Sequence, residues 1–176
     1  MRFIIDKTYL VERTTVNYQK DESSIRVAFN NVDFFYLRKV LTSGLHGFFT
    51  SYANTSTTNP VTLTVIQLEA YKLAQYYFAL MVHWDLLAMT TVATVEIGPI
   101  SSERLADLAQ IKERRNELYN RAEQVKSELL AYINNNRAEF EQYYPFEKVD
   151  QNQDKVITNG TSPIVFVNEP QKYYGI

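Results

Sequence analysis

With 176 residues, 45% of them hydrophobic, the chain is sized for one domain with a real core. Its formal net charge of −2 argues against a general nucleic-acid binder, which is normally basic. The absence of cysteine excludes disulfide staples, thiolate metal sites and a cysteine nucleophile.

Phe3 to Val11 is apolar with interruptions, which fits a short strand or the first turn of a helix. Residues 1–6 show neither the apolar run nor the cleavage site of a signal peptide. Asp21, Glu22, Ser23 and Ser24 mark a helix start, with serines available to cap it and acids at the positive end of its dipole. From there Ile25, Phe29, Val32, Phe35 (or Tyr36) and Val40 recur at helical spacing. Gly44 and Gly47 flank a possible break, after which Leu45, Phe48, Phe49 and Tyr52 suggest another turn or two.

Residues 53–60 are small, hydroxylic or amidic and end in Pro60, so they form a loop. A second helix is expected from about Leu63 to Met89. Leu68, Tyr71, Ala74 (or Gln75), Phe78, Val82 and Asp85 mark one face, yet Leu73, Tyr77, Leu80 and Trp84 make the other apolar as well. A helix apolar all round is buried on all sides, by its own fold or by neighbours. Leu73–Trp84 is uncharged, but Asp85, His83 and three nearby threonines make a buried helix a better reading than a membrane span. Thr90–Ile100 is β-branched and ends in Gly98 and Pro99, which reads as a crossover loop or short strand.

The charge texture then flips. Residues 40–100 carry only Glu69, Lys72, Asp85 and Glu96, whereas residues 101–144 carry seven basic and eight acidic side chains. A long helix is expected from Ser101 to Phe140 or beyond, some 60 Å at 1.5 Å per residue. Its buried stripe is Leu105, Leu108, Ile111, Leu118, Ala122, Val125, Leu129, Ile133 and Phe140, interrupted by Arg115 and Asn136. Pro145 closes the helical part. Residues 146–176 lose periodicity except for Ile164, Val165, Phe166 and Val167, a strand signal between two prolines. The expected fold is mainly α: a helical bundle over residues 1–145 with one long helix in its C-terminal half. Residues 146–176 follow as an extended C-terminal arm with a short β-strand.

Chemistry-bearing patterns are thin. Residues 150–154 imitate the first half of a calcium loop, but Lys155 and Thr161 stand where its glycine and closing glutamate belong. The two histidines, His46 and His83, lie in no metal-binding spacing. His83, Trp84 and Asp85 form the most plausible polar centre, though neighbours on a helix point about 100° apart. The acids at 103–141 alternate with bases at helical spacings, as on a solvated face. No catalytic residue, cofactor or metal site is assigned.

The order of parts resembles a family of small tailed-phage proteins, the head–tail adaptor or head-completion proteins that form rings under the portal, in the type found in Bacteroidetes and crAss-like phages. The resemblance rests on Phe29–His46 as the opening helix, residues 68–90 as the central buried helix, and Glu96–Gly98 leading into the charged helix 101–144. It implies a helical-bundle subunit of a ring, twelvefold by that analogy, that joins portal to tail and lets DNA through as non-specific cargo. It further implies a C-terminal arm that docks on the portal or the adjacent subunit. The expected interface residues are Ile164, Val165, Phe166, Val167, Tyr173, Tyr174 and Ile176 in the arm, with Tyr77 and Trp84 in the helical part. Such a protein is a non-enzymatic virion component with portal, tail or ring proteins and itself as partners, no membrane, and host cytoplasm as its place of assembly. The alternative is a cytoplasmic helical-bundle interaction module, a chaperone or regulatory subunit.

Overall fold

Helix α5 (Val65–Val95) is the axis on which the other elements pack. The computed structural model describes residues 3–16, 21–54, 61–95 and 102–143, all within one unit, Met1–Phe146. Thr64 starts α5 with a reciprocal cap: the Gln67 N–H donates to Thr64 Oγ1 at 3.2 Å, and the Thr64 N–H donates to Gln67 Oε1 at 3.1 Å. Seven consecutive residues, Tyr77 to His83, are buried, so the helix is covered around its full circumference. Its own chain supplies that cover, because α1 (Lys7–Arg13), α2 (Glu22–Val32) and α6 (Ser102–Asn135) all pack against it. The apolar circumference by itself therefore calls for no neighbouring subunit.

The Phe3–Val11 ambiguity resolves toward helix. Asp6 Oδ1 accepts from the Tyr9 N–H at 2.8 Å and starts α1, while Ile4 and Ile5 ahead of it are buried. The Ile4 carbonyl accepts from both Tyr71 Oη and Gln75 Nε2 at 2.8 Å, which fastens the N-terminal segment to α5. Phe3, Phe29 and Phe78 pack edge and face between the segment, α2 and α5.

Asp21, rather than a serine, caps α2, accepting from the Ser24 N–H at 3.0 Å. The helix then runs without a break through a π turn (Asp33–Leu37) into α3 (Arg38–Val40), with the Arg38 N–H donating to the Asp33 carbonyl five residues back. That wide turn decides the Phe35-or-Tyr36 alternative. Tyr36 turns inward against Trp84, with ring centroids 5.9 Å apart, and Phe35 faces solvent. Leu37 becomes core.

Gly44 and Gly47 do not break the chain; they lie inside α4 (Ser43–Ala53). The interruption falls at Leu41, which is extended, and Thr42 caps the new helix. Thr42 Oγ1 also donates to the Tyr143 carbonyl, and the Tyr143 ring stacks on Phe48 at 4.3 Å.

Thr90–Val95 is helical, not a crossover loop or strand. The β-branched penalty is a few tenths of a kcal/mol per residue, small against extending a helix already nucleated. α6 runs antiparallel to α5, as Tyr76 meets Arg121 and Trp84, further along α5, meets the earlier Arg115. Its stripe Leu118, Ala122, Val125, Leu129 and Ile133 is buried as expected. The long helix stops short of Phe140, however. Asn136 leaves the helical region (φ −116°, ψ 38°), its Nδ2 donating to the Tyr132 carbonyl, and α7 (Arg137–Phe140) brings Phe140 back into the core. Among the described residues there is no strand, and the predicted strand at 164–167 lies outside them.

Candidate functional site

Three polar clusters and one exposed face are where this fold concentrates chemistry. The first cluster surrounds His83 and Asp85. Two residues apart on one helix, their side chains leave the axis about 200° apart. They accordingly meet different neighbours: Asp85 Oδ2 accepts from Asn31 Nδ2 of α2 at 3.2 Å, whereas His83 feels Arg114 of α6. Burial, with Arg114 adding to it, pushes the His83 imidazole down to about 4, so it is neutral at pH 7. Its Nδ1 has no hydrogen-bond partner among the described residues. Burial also raises the Asp85 carboxyl above its usual value. A neutral imidazole and a carboxylate facing apart do not make an acid–base pair.

The second cluster was not anticipated. Asp33 sits at the start of the π turn with its side chain 8% exposed, and its oxygens are divided between two basic side chains. Oδ1 lies 2.7 Å from His46 Nε2 of α4, and Oδ2 takes both Arg38 Nε (2.9 Å) and Nη2 (2.8 Å). Both oxygens of the carboxylate are thereby engaged within the fold, as in a structural clasp.

The third is an open cleft of about 510 Å³ between the N-terminal segment, α2, the end of α4 and α5. Much of its polar lining is already engaged: Tyr71 and Gln75 with Ile4, Asp6 with the Tyr9 N–H, and Asn54 Nδ2 with the Thr50 carbonyl. Among the described residues no group of three or more His, Cys, Asp or Glu side chains comes together to hold a metal.

The expected interface residues separate. Tyr77 is 2% exposed and belongs to the core, where burial raises its phenol well above the ordinary value. Trp84 is half-buried between Tyr36, Tyr119 and Arg115, whose guanidinium carbon lies 4.5 Å from the ring centroid. Arg115 thus does not interrupt the α6 stripe; it covers the indole by cation–π contact and by its aliphatic stem. Ile164, Val165, Phe166, Val167, Tyr173, Tyr174 and Ile176 lie outside the described residues.

What the sequence reading missed is an exposed aromatic pair. The π turn rotates Phe34 and Phe35 to solvent at 61% and 52% exposure, their rings perpendicular at 5.1 Å. No periodic signal distinguishes them from Tyr36 and Leu37, because one extra residue in the turn shifts the phase of everything after it. No helix among the described residues is long and apolar enough to cross a membrane. Comparison of the chain with protein-family models, with curated proteins and with solved structures returns no match.

Proposed function

We propose that the chain is a structural, non-enzymatic subunit of a virion ring that connects the portal to the tail and lines part of the DNA passage. One observation carries this reading: the apolar stripe of α6 continues beyond its cover. Leu118 to Ile133 is buried, but Ile111 and Leu108 of the same stripe are half-exposed, as are Leu87 and Met89 near the end of α5. Partly covered apolar side chains along two packed helices form a surface that assembly would complete.

A closed ring needs two unlike lateral faces, because each subunit meets its neighbours through a heterologous contact. The subunit offers two. The Leu108 and Ile111 stretch belongs to the α5–α6 layer, and the Phe34–Phe35 pair to the α2 layer. These layers occupy different faces of α5: Phe78 meets Phe29 of α2, whereas Tyr76, two residues earlier, lies beneath Arg121 of α6. The engaged state of Asp33 and the divergence of His83 from Asp85 also favour a structural role over catalysis.

Native mass spectrometry and electron microscopy of the full chain, alone and with a purified portal, test this. The expected result is a closed oligomer of the 20.5 kDa chain, or one formed on the portal. Leu108→Asp with Ile111→Asp should abolish it without loss of helix content. Deleting residues 146–176 should leave the helical domain folded and remove portal docking. A monomer that ignores the portal would overturn the ring and leave the interaction-module reading standing.

A further inference from the structure

The cleft between the N-terminal segment, α2, the end of α4 and α5 is walled by four aromatic side chains, Phe3, Tyr9, Phe29 and Tyr71. Asp6, Asn54 and Gln75 supply most of its polar lining. At about 510 Å³ it falls in the size range of small-molecule sites, which are mostly apolar with a few convergent polar groups. None of its residues belongs to the surfaces assigned above to assembly.

The side-chain donors of the lining are largely spent inside the fold. Gln75 Nε2 donates both to the Ile4 carbonyl at 2.8 Å and to Tyr71 Oη at 3.1 Å, which leaves Oε1 over as an acceptor. The Tyr71 hydroxyl donates to the same Ile4 carbonyl. Asp6 accepts from the Tyr9 N–H through Oδ1 and keeps Oδ2. Asn54 donates through Nδ2 to the Thr50 carbonyl and keeps Oδ1. Three side-chain oxygens, one of them on a carboxylate, therefore have no partner among the described residues. Against them stand one spare amide N–H on Asn54 and the Tyr9 hydroxyl, which can donate or accept.

Charge adds to that imbalance. Asp6 is the one charged residue of the lining. Lys7, Glu12 and Arg13, the charged residues of α1, do not line the cleft, and Arg13 lies 5.7 Å from the Tyr9 ring centroid. With Asp6 these four charges cancel, so selection comes from the lining and not from a surrounding field. An anion would meet Asp6 with no cation in the wall. A neutral apolar molecule would cover the three oxygens without bonding them, at a cost. A primary ammonium carries three donors and no acceptor, and it is attracted to aromatic faces.

We propose that this cleft binds a primary alkylammonium group, carried by a free amine or by a lysine side chain. Its head is held by Asp6 Oδ2 and the lining amide oxygens, and its alkyl stem lies against Phe3, Tyr9 and Tyr71. The site is independent of whether the chain forms a ring.

Saturation-transfer difference NMR with the full chain tests it, since the method reads weak ligands on a monomer or a large ring alike. The probes are butylamine and Nα-acetyl-lysine amide, with butanol and butyrate as the neutral and anionic counterparts. Both amines should give saturable signals with dissociation constants on the order of millimolar, and the tighter of the two identifies the natural source. Asp6→Asn keeps an oxygen to cap α1 but removes the charge, and Tyr9→Leu removes a ring from the wall. Each should weaken amine binding by about threefold or more. Circular dichroism checks the fold of both, and if Asp6→Asn loses helix content the Tyr9→Leu result decides. The Leu108→Asp, Ile111→Asp variant should bind the amines like the parent chain, so loss of the ring and loss of this site are distinguishable. No amine signal, equal binding of butanol or butyrate, or unchanged amine binding in the folded variants would overturn the proposal.

Discussion

Asp33 Oδ1 and His46 Nε2 stand 2.7 Å apart and tie the π turn to α4, thirteen positions further along the chain. Burial acts to raise the Asp33 carboxyl, but the His46 bond and charge, with Arg38 behind them, outweigh it and hold the group below its usual value. Asp33→Ala leaves two donors without their acceptor and should cost about 2–3 kcal/mol. A depressed carboxyl stabilises the fold above its unfolded value near 3.9 and loses that contribution as pH falls through the folded value. Urea unfolding should therefore show the gap between the parent chain and Asp33→Asn shrinking from pH 7 towards pH 3. A gap that stays constant would show that the charge is not what stabilises the clasp.

Arg115 over Trp84 predicts a spectroscopic change as well as a thermodynamic one. Trp84 is the chain's one tryptophan, so tryptophan emission reports the surroundings of this indole alone. Arg115→Ala removes the cation and the stem that shields the ring, and should shift the emission to the red and cost about 1–2 kcal/mol. Arg115→Lys keeps the charge but not the planar stacking, and should fall between the two. An unchanged spectrum in Arg115→Ala would mean that Tyr36 and Tyr119 alone shield the indole.

Strong periodicity over long segments was legible, and exceptions to it were not. The buried stripe from Leu118 to Ile133 and the inward row Ile25, Phe29, Val32 follow directly from one phase of the helix repeat. The π turn defeats that logic: after Asp33 the phase moves by one residue, and Phe35 and Leu37 exchange the places that uniform spacing assigns them. Tyr77 has a different problem. On a helix apolar all round there is no phase to read, so sequence cannot say whether its own fold or a partner covers it. Gly44 and Gly47 read as a break because glycine usually weakens a helix, whereas the signal that matters is the capping hydroxyl of Thr42. The Asp33–His46–Arg38 clasp needed tertiary structure, since only the turn brings those groups together.

His83 sets an acid limit on stability. Its imidazole titrates near 6.5 in the unfolded chain and at about 4 in the fold. The unfolded state therefore takes up the proton first, and stability falls as pH drops from about 6.5 to about 4. The full effect of that difference is roughly 3 kcal/mol at most. His83→Gln should flatten this part of the profile, even though it changes stability at pH 7 through packing. Denaturant midpoints at half-unit steps between pH 7 and pH 4 measure it, and parallel profiles for the two chains would place the acid sensitivity elsewhere.

The two glycines of α4 should respond in opposite ways to the same substitution. A Cβ on Gly47 meets nothing within 4 Å, and the residue lies exposed in mid-helix. Gly47→Ala should therefore stabilise the chain by about 0.5–1 kcal/mol, the ordinary gain from lost unfolded-state freedom. A Cβ on Gly44 falls 3.1 Å from the Tyr143 carbonyl oxygen, a backbone atom that also accepts from Thr42 Oγ1. Making room there pulls on the Thr42 bond and on the Phe48–Tyr143 stack, so Gly44→Ala should lose that gain and destabilise by up to about 1 kcal/mol. Thermal unfolding of the two variants side by side is the measurement. Equal stabilisation by both would show that Tyr143 does not press on the start of α4, and that the end of the helical domain is held by α7 and Phe140 alone.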